Sequence, residues 1–134
     1  MDGKKSADRL TESQKKGRGG EDFAAGVLQG LGYQILARNY HSRCGEVDIV
    51  ARKDGYICFV EVKARRQGGM VEGAQAVTRS KQKKIIATAL RYLQQNPLEL
   101  QPRFDIFSIV TGRAGAVLDY DYLIGAFDSE AYGG

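Results

Sequence analysis

The sequence predicts an α/β fold in which helices flank a mixed central β-sheet, with the core order α-β-β-β-α-β. Two stretches with helical periodicity of their apolar residues bracket a group of apolar segments with strand character. The dipeptide Asp54-Gly55 stands between two of those segments, and it is a strong signal for a tight β-hairpin. Helical and strand segments in this order indicate one sheet with helices packed against it.

The first helix is expected between Thr11 and Gly32. Thr11 and Gln14 match a capping box at its start, and Gly32 is typical of a helix end. Glu21 stands at the upstream end of an apolar stripe with helical spacing. The stripe consists of Ala24, Ala25, Leu28 and Leu31.

Three strands are predicted after this helix, at residues 33–39, 46–52 and 56–64. The segment 41–45 is predicted to be a loop, and it contains His41, the only histidine of the chain. We expect His41 to be a loop residue rather than a general base. The third strand is apolar on both faces, which predicts that elements of the fold cover both of them.

A second helix is predicted after residues 65–77, a segment with the character of a loop. Thr78 caps this helix, which runs to about Gln95. The apolar stripe of this helix consists of Ile85, Ile86, Ala89, Leu90 and Leu93.

A fourth strand is predicted at residues 103–110, and residues 116–127 are compatible with a last strand or a short helix.

The length of 134 residues indicates one domain, which we place at residues 11–134 after a flexible tail at residues 1–10. No apolar run approaches the ~18 residues of a membrane span, and the first residues lack the apolar stretch of a secretory signal. A cytoplasmic location without a membrane partner is therefore expected. Cys44 and Cys58 are too few for a disulfide framework and lack the spacing of a metal site.

The net charge of +4 is unevenly distributed along the chain. Residues 1–20 carry six Lys or Arg against three acids, and residues 52–91 carry ten against three. Such a concentration of positive charge favours a polyanionic partner such as nucleic acid. A solvated basic face without a partner is the alternative, and the charge distribution alone does not separate the two.

A two-residue turn at Asp54-Gly55 sets the register of the second and third strands. In that register Asp48 lies opposite Glu61. Glu46 lies opposite Lys63, and all four side chains share one face. Directly opposed Cβ atoms are ~5 Å apart, so the two carboxylates would repel each other and raise one pKa. A hard divalent cation relieves this conflict, and Mg²⁺ suits a site with few carboxylates.

Both Lys63 and Glu21 have a structural alternative. Lys63 could pair with Glu46 in a lattice of Glu and Lys on an exposed sheet face. The apolar residues around Lys63 and Glu61 favour a functional role, because charges in a covered strand need compensation. Glu21 could be a surface acid that the helix dipole stabilises near a helix start.

These residues resemble the core of PD-(D/E)XK nucleases, which presents an acid from its first helix, an Asp on one strand and Glu-x-Lys on the next. The matching residues are Glu21, Asp48 and Glu61-Val62-Lys63. More closely, the chain resembles the YraN family of uncharacterised bacterial proteins, and archaeal Holliday-junction resolvases are similar in layout. The YraN resemblance covers residues 17–92, in GRGGEDFAA, GYQILARNY, GEVDIV, FVEVKAR and the helix around Lys81, and it returns at RFDIFSIV and IGAF.

The resemblance implies a restriction-endonuclease-like fold and a divalent-metal phosphodiesterase site. By that analogy Mg²⁺ or Mn²⁺ would be held by Asp48, Glu61 and the Val62 carbonyl. Glu21 would contribute directly or through water, and Lys63 would position the attacking water or stabilise the charge of the transition state. Related resolvases act as dimers, so the resemblance also admits a homodimer.

Polar and basic residues near these acids could bind the flanking phosphates of a nucleic acid. The candidates are Arg65, Arg66, Arg79, Lys81, Gln82, Lys83 and Lys84.

The sequence leaves three hypotheses for the function. The protein is a Mg²⁺-dependent endonuclease acting on DNA, including branched or structured DNA; a non-catalytic nucleic-acid-binding module; or an interaction protein whose carboxylates form only salt bridges. The complete set of Asp and Glu-x-Lys favours the first.

Overall fold

The computed structural model describes residues 12–68 and 77–129 of the chain. These residues form an α/β structure with a five-stranded mixed sheet and two helices, as the sequence predicts, and the architecture is consistent with a restriction-endonuclease-like fold. The predicted tail at residues 1–10 and the capping role of Thr11 lie outside the described residues. The elements are α1 (Glu12–Gly30), β1 (Gln34–Ser42), β2 (Gly45–Lys53), β3 (Tyr56–Arg66), α2 (Arg79–Gln95), β4 (Gln101–Thr111) and β5 (Val117–Phe127).

The sheet has the strand order β1-β2-β3-β4-β5. β3 and β4 run parallel, and the other neighbouring strands are antiparallel. In the turn between β2 and β3, φ is positive at both Asp54 (51°) and Gly55 (85°), as a type I′ hairpin requires. Backbone pairing runs outward from Lys53 and Tyr56, which confirms the register predicted for this hairpin next to its turn.

The two helices cover opposite faces of the sheet. Leu28 of α1 packs on the face that carries Cys58 and Val60 of β3. α2 packs on the other face, which carries Ile57 and Phe59. β3 is therefore buried on both sides, as predicted, and its charged residues follow only where the core ends. Within the described residues, neither helix has the length and apolar character needed to cross a membrane.

An ion pair within β4 also binds residues of β5. Asp105 is fully buried, and Arg103 donates hydrogen bonds to both oxygens of its carboxylate at 3.0 to 3.3 Å. The Tyr122 hydroxyl and the Gly125 N–H of β5 also donate to Asp105. Arg103 donates in addition to the Tyr33 hydroxyl, just before β1, at 2.7 Å. This network connects β4 with β5 and with Tyr33, the residue before β1. No buried side-chain N or O atom of the described residues lacks a hydrogen-bond partner, so the buried charges of the network are compensated.

Several element boundaries differ from the sequence prediction by one to three residues, and those at the ends of β1 and β3 affect predicted functional residues. β1 includes His41, which therefore lies in a strand and not in a loop, because it pairs with Glu46 across the β1–β2 ladder. β3 continues to Arg66 and does not end at Ala64, because it pairs with β4 along its whole length. The undecided segment 116–127 contains a strand, β5, that pairs antiparallel with β4.

Candidate active site

Regular pairing between β2 and β3 ends at the acidic residues. The ladder extends from the hairpin turn to the pair Ile49 and Val60. One residue further along β2, the Oδ2 atom of Asp48 accepts a hydrogen bond from the Val62 N–H at 2.8 Å. The side chain of Asp48 thus replaces a backbone acceptor at the end of the ladder.

Glu46 lies in the neighbouring β1–β2 ladder, and its negative charge contributes to the raised pKa of Lys81. It pairs with His41 across β1 and β2, and its Oε2 atom lies 3.5 Å from the Nδ1 atom of His41. The predicted pair between Glu46 and Lys63 does not occur among the described residues, because regular β2–β3 pairing stops at Ile49. A Glu/Lys lattice therefore does not account for Lys63.

Asp48 and Glu61 form an interacting pair of carboxyl groups. Burial and then the negative charge of Glu61 raise the pKa of Asp48 to about 8. The hydrogen bond from Val62 opposes this shift, since it favours the charged form of Asp48. Glu61 is itself buried, with only 4% of the residue exposed. At pH 7 the metal-free pair therefore retains a proton that an isolated aspartate would have lost.

The cation nearest to this pair comes from α2. The Nζ atom of Lys81 lies 2.5 Å from Oε2 of Glu61. Partial burial lowers the pKa of Lys81, but the hydrogen bond and charge of Glu61, with the charge of Asp48, raise it above the ordinary value overall. The predicted phosphate-binding residue Lys81 is thus a partner of the predicted metal ligand Glu61.

Lys63 lies on the same face of β3 as Glu61, because side chains alternate along a strand. It is half-buried, and its backbone is held by pairing with Ser108 of β4. Within the part of the chain that the structure describes, its ammonium forms no ion pair. Among these residues Asp48 forms no ion pair with Lys63, so the hypothesis that the carboxylates form only salt bridges is supported at Glu61, which pairs with Lys81, and not at Asp48.

Glu21 approaches Asp48 from the face that α1 covers. Burial raises the pKa of Glu21, and Arg38 opposes the shift. Its Oε1 atom accepts hydrogen bonds from Arg38 at 3.4 Å and from Asn39 at 2.8 Å. The charge of Glu21 contributes to the raised pKa of Asp48, but Glu61 contributes more. Asp48 therefore interacts with both acids, more strongly with Glu61 than with Glu21.

Arg38 and Asn39 are site residues that sequence reasoning missed. Asn39 has a φ of 52°, which is uncommon for a residue other than glycine. The flanking pairs, Arg38 with Ile49 and Tyr40 with Val47, place Asn39 across from Asp48. The left-handed backbone and the hydrogen bond to Glu21 thus occur together at one residue. The Arg-Asn dipeptide carries no sequence signal that could have revealed this role.

The predicted phosphate-binding residues fall in two groups. Arg65 and Arg66 end β3, two and three residues beyond Lys63. The second group lies in the first two turns of α2 and comprises Arg79, Lys81, Gln82, Lys83 and Lys84. The side-chain amide of Gln82 donates to the Val77 carbonyl at 2.9 Å, so Gln82 helps to fix the start of α2.

The pair of carboxyl groups suits a hard cation that takes few ligands from protein. In residues 12–68 and 77–129, no three acidic, histidine or cysteine side chains come together as a metal-binding cluster. Mg²⁺ is usually held by only one or two carboxylates, with waters and substrate phosphates around the rest of the ion. Asp48 and Glu61 match that pattern, and burial and the charge of Glu61 disfavour the ionised form of Asp48 as long as no metal ion is bound. The N–H of Val62 donates to Asp48. That the Val62 carbonyl binds the metal stays a prediction.

Fold and site together define an α/β protein in which the pairing of two strands ends at a pair of carboxyl groups beside lysines. The model of the uncharacterised protein family UPF0102 matches residues 20–109, so the chain belongs to this family, the YraN family, as its motifs predicted. A UPF0102 protein of Dictyoglomus thermophilum is 44% identical over 112 residues, which cover 83% of this chain and 95% of the relative. A UPF0102 protein of Chloroflexus aurantiacus is 39% identical over 117 residues, 87% of this chain and 95% of the relative.

Proposed function

We propose that the protein is a metal-dependent endonuclease that hydrolyses phosphodiester bonds in DNA, including branched or structured DNA. The observation that carries this proposal is the carboxyl pair of Asp48 and Glu61, with Lys63 next on the same face of β3. Glu61 is buried and Asp48 is partly buried, and two neighbouring acids in such a place are costly, so their position indicates a role beyond stability. Bound Mg²⁺ or Mn²⁺ would neutralise the pair, lower the pKa of water and offset charge on a phosphate oxygen.

The side chains of the protein would supply the remaining chemistry. Asp48 and Glu61 would hold the metal ion and thereby fix the scissile phosphate next to the end of β3. The ammonium of Lys63 would stabilise negative charge that grows on the phosphate during attack. Glu21 would act through a water molecule rather than as a direct ligand, because it reaches Asp48 from the opposite face.

Binding to DNA would rest on contacts with its phosphates. Arg65 and Arg66 follow the acids along β3, and the basic first turns of α2 belong to the same positive segment of the sequence. Such contacts position a backbone without reading its sequence. A homodimer would bring two such sites to the two strands of one substrate.

A non-catalytic nucleic-acid-binding module is the second candidate function. The ion pair between Lys81 and Glu61 favours it, because an ammonium of the protein already compensates one of the two acids. The basic residues of β3 and α2 would then bind phosphates while the acids stay free of metal. Both candidates predict salt-sensitive binding to DNA, and they differ in metal binding and cleavage.

Incubation with duplex, flap, single-stranded and four-way DNA, in Mg²⁺ or Mn²⁺, tests the proposal. We expect cleavage of at least one substrate and no cleavage in EDTA. Asp48→Asn should reduce cleavage by roughly 100-fold or more, since it removes a charged ligand. Asp54→Asn is the matched control, because it makes the same change at the exposed turn of the same hairpin. DNA binding without cleavage in either metal would instead support the binding module.

A further inference from the structure

The ammonium of Lys81 occupies a place beside Glu61 that a metal ion would also need. It lies 2.5 Å from Oε2 of Glu61, whose side chain is only 5% exposed. The side chain of Lys81 is 46% exposed, so it lies between the buried acid and solvent. A flexible four-carbon stem lets the ammonium leave the carboxylate without movement of α2.

The position of Lys81 within α2 is unfavourable for a cation on its own. Thr78 is the N-cap, and its hydroxyl accepts the Lys81 N–H at 3.1 Å, so Lys81 is the third residue of the helix. The first turn contains no acid, and the helix dipole disfavours positive charge there. A capping box would place Glu or Gln at this position. The hydrogen bond to Glu61 and the charge of Glu61, with smaller contributions from Asp48 and Glu46, stabilise the ammonium.

We propose that Lys81 is an exchangeable internal cation, which neutralises Glu61 in the metal-free protein and moves to a phosphate of bound DNA when a divalent cation takes its place. This inference rests on the proposed function, because it requires a metal site at Asp48 and Glu61. An ammonium and a divalent ion on one carboxylate would lie a few ångströms apart and repel each other strongly. Metal binding would thus release a phosphate-binding group next to the metal, and metal and DNA would bind with positive coupling.

Metal titration without DNA tests the first half of the exchange. Mn²⁺ binding, followed by electron paramagnetic resonance, is compared for the original protein, Lys81→Met, Lys81→Arg and Lys84→Met. Lys81→Met removes the competing charge and keeps an apolar stem, so it should bind Mn²⁺ on the order of 10-fold more tightly. Lys81→Arg keeps the charge and should bind like the original. Lys84→Met, a control on the same helix, should leave the Mn²⁺ affinity unchanged.

DNA titration tests the second half, and here the affinity should change in the opposite direction. In Ca²⁺, a hard cation that takes the same oxygen ligands, Lys81→Met should bind duplex DNA more weakly than the original. Its dependence of log K on log salt should be shallower by ~0.9, the value for one phosphate contact. In EDTA, where Lys81 stays on Glu61, the substitution should change DNA affinity little. Lys84→Met should weaken DNA binding equally with and without metal.

Two outcomes would overturn the exchange. Equal Mn²⁺ affinities of the original protein and Lys81→Met would overturn the exchange, while the proposal of a metal site would still hold. A loss of DNA affinity in Lys81→Met that is equal in EDTA and in Ca²⁺ would do so as well. Failure of the original protein to bind any Mn²⁺ would overturn the proposed function itself. If Lys81→Met folds poorly, as circular dichroism would reveal, Lys81→Gln replaces it in each comparison, because Gln is uncharged and suits the third position of a helix.

Discussion

The carboxylate of Asp48 accepts the N–H of Val62 at 2.8 Å, at the point where backbone pairing between β2 and β3 stops. This bond anchors a side chain of one strand to the backbone of the next. Asp48 is therefore fixed next to Glu61, the residue before Val62, although the two carry charges of the same sign. The raised pKa of Asp48 follows from this enforced proximity together with burial.

The metal-free protein should lose stability as the pH rises from about 4 to about 8. The folded-state pKa of Asp48, about 8, lies above its ordinary value of 3.8. The folded chain therefore keeps a proton that the unfolded chain releases within this window, and unfolding becomes easier as pH rises. Asp48→Asn removes this dependence. In EDTA it should match the original near pH 4 and exceed it by a few kcal/mol at pH 8. Urea denaturation across the window measures both curves.

The comparison needs a control for charge removal in general. Asp54→Asn changes an exposed acid in the type I′ turn, where Asn is equally suited to positive φ. Its stability should follow the original curve at every pH. An Asp48→Asn protein that is less stable than the original at pH 8 would show that Asp48 is held by a salt bridge and not opposed by Glu61.

Metal binding should strengthen with pH. Because Asp48 must lose its proton to act as a ligand, the affinity for Mn²⁺ should rise up to ~10-fold per pH unit between pH 6 and 8 and then level off. Mg²⁺ or Mn²⁺ should also raise the melting temperature of the original protein, because a ligand of the folded state alone stabilises it. Asp48→Asn should lose that response. Calorimetric titration at pH 6, 7 and 8 checks the trend, and equal affinities at pH 6 and 8 would exclude Asp48 as a ligand.

DNA affinity should fall steeply with salt, because phosphate contacts release counterions. Replacing Arg65 and Arg66 by Ala should reduce the slope of log K against log salt by ~0.9 for each lost contact. Arg52→Ala is the control, because Arg52 is exposed at the opposite end of β2, next to the hairpin turn. Fluorescence anisotropy at several salt concentrations measures the slopes. A slope that is the same in all variants would place the DNA elsewhere on the protein.

Substitutions at Asn39 should separate its backbone role from its side-chain role. Asn39→Gly permits the φ of 52° and removes the hydrogen bond to Glu21, so it should cost ~1 kcal/mol. Asn39→Ala removes the same bond and adds ~1–2 kcal/mol of left-handed strain. Urea denaturation should therefore rank the original above Asn39→Gly and that above Asn39→Ala. Equal stability of the two variants would mean that the left-handed backbone carries no strain.

The sequence predicted the elements whose signals are local. Asp54-Gly55 supports positive φ at two successive residues, and this requirement fixed the hairpin and its register near the turn. The end of that ladder was not predictable, since no local pattern shows that the side chain of Asp48 replaces a backbone acceptor. His41 was misplaced because it lies in an edge strand, where polar residues interrupt the apolar alternation that marks a strand.

The site was predicted as far as one strand pair could determine it. The juxtaposition of Asp48 and Glu61 followed from the period of the hairpin. The contact of Lys81 with Glu61 depends on how α2 crosses the sheet after a long connection, and sequence spacing does not encode that path. The same holds for Glu21, which only the resemblance assigned to the site and which approaches Asp48 from the face that α1 covers.

The central claim is that Asp48 and Glu61 form a divalent-cation site, and crystals soaked in Mn²⁺ test it most directly. An anomalous difference map should show a peak within ~2.2 Å of a carboxylate oxygen of both residues, with octahedral surroundings completed largely by water. The ammonium of Lys81 should have left Glu61. A map without a peak at this place, with Lys81 still paired to Glu61, would contradict the claim.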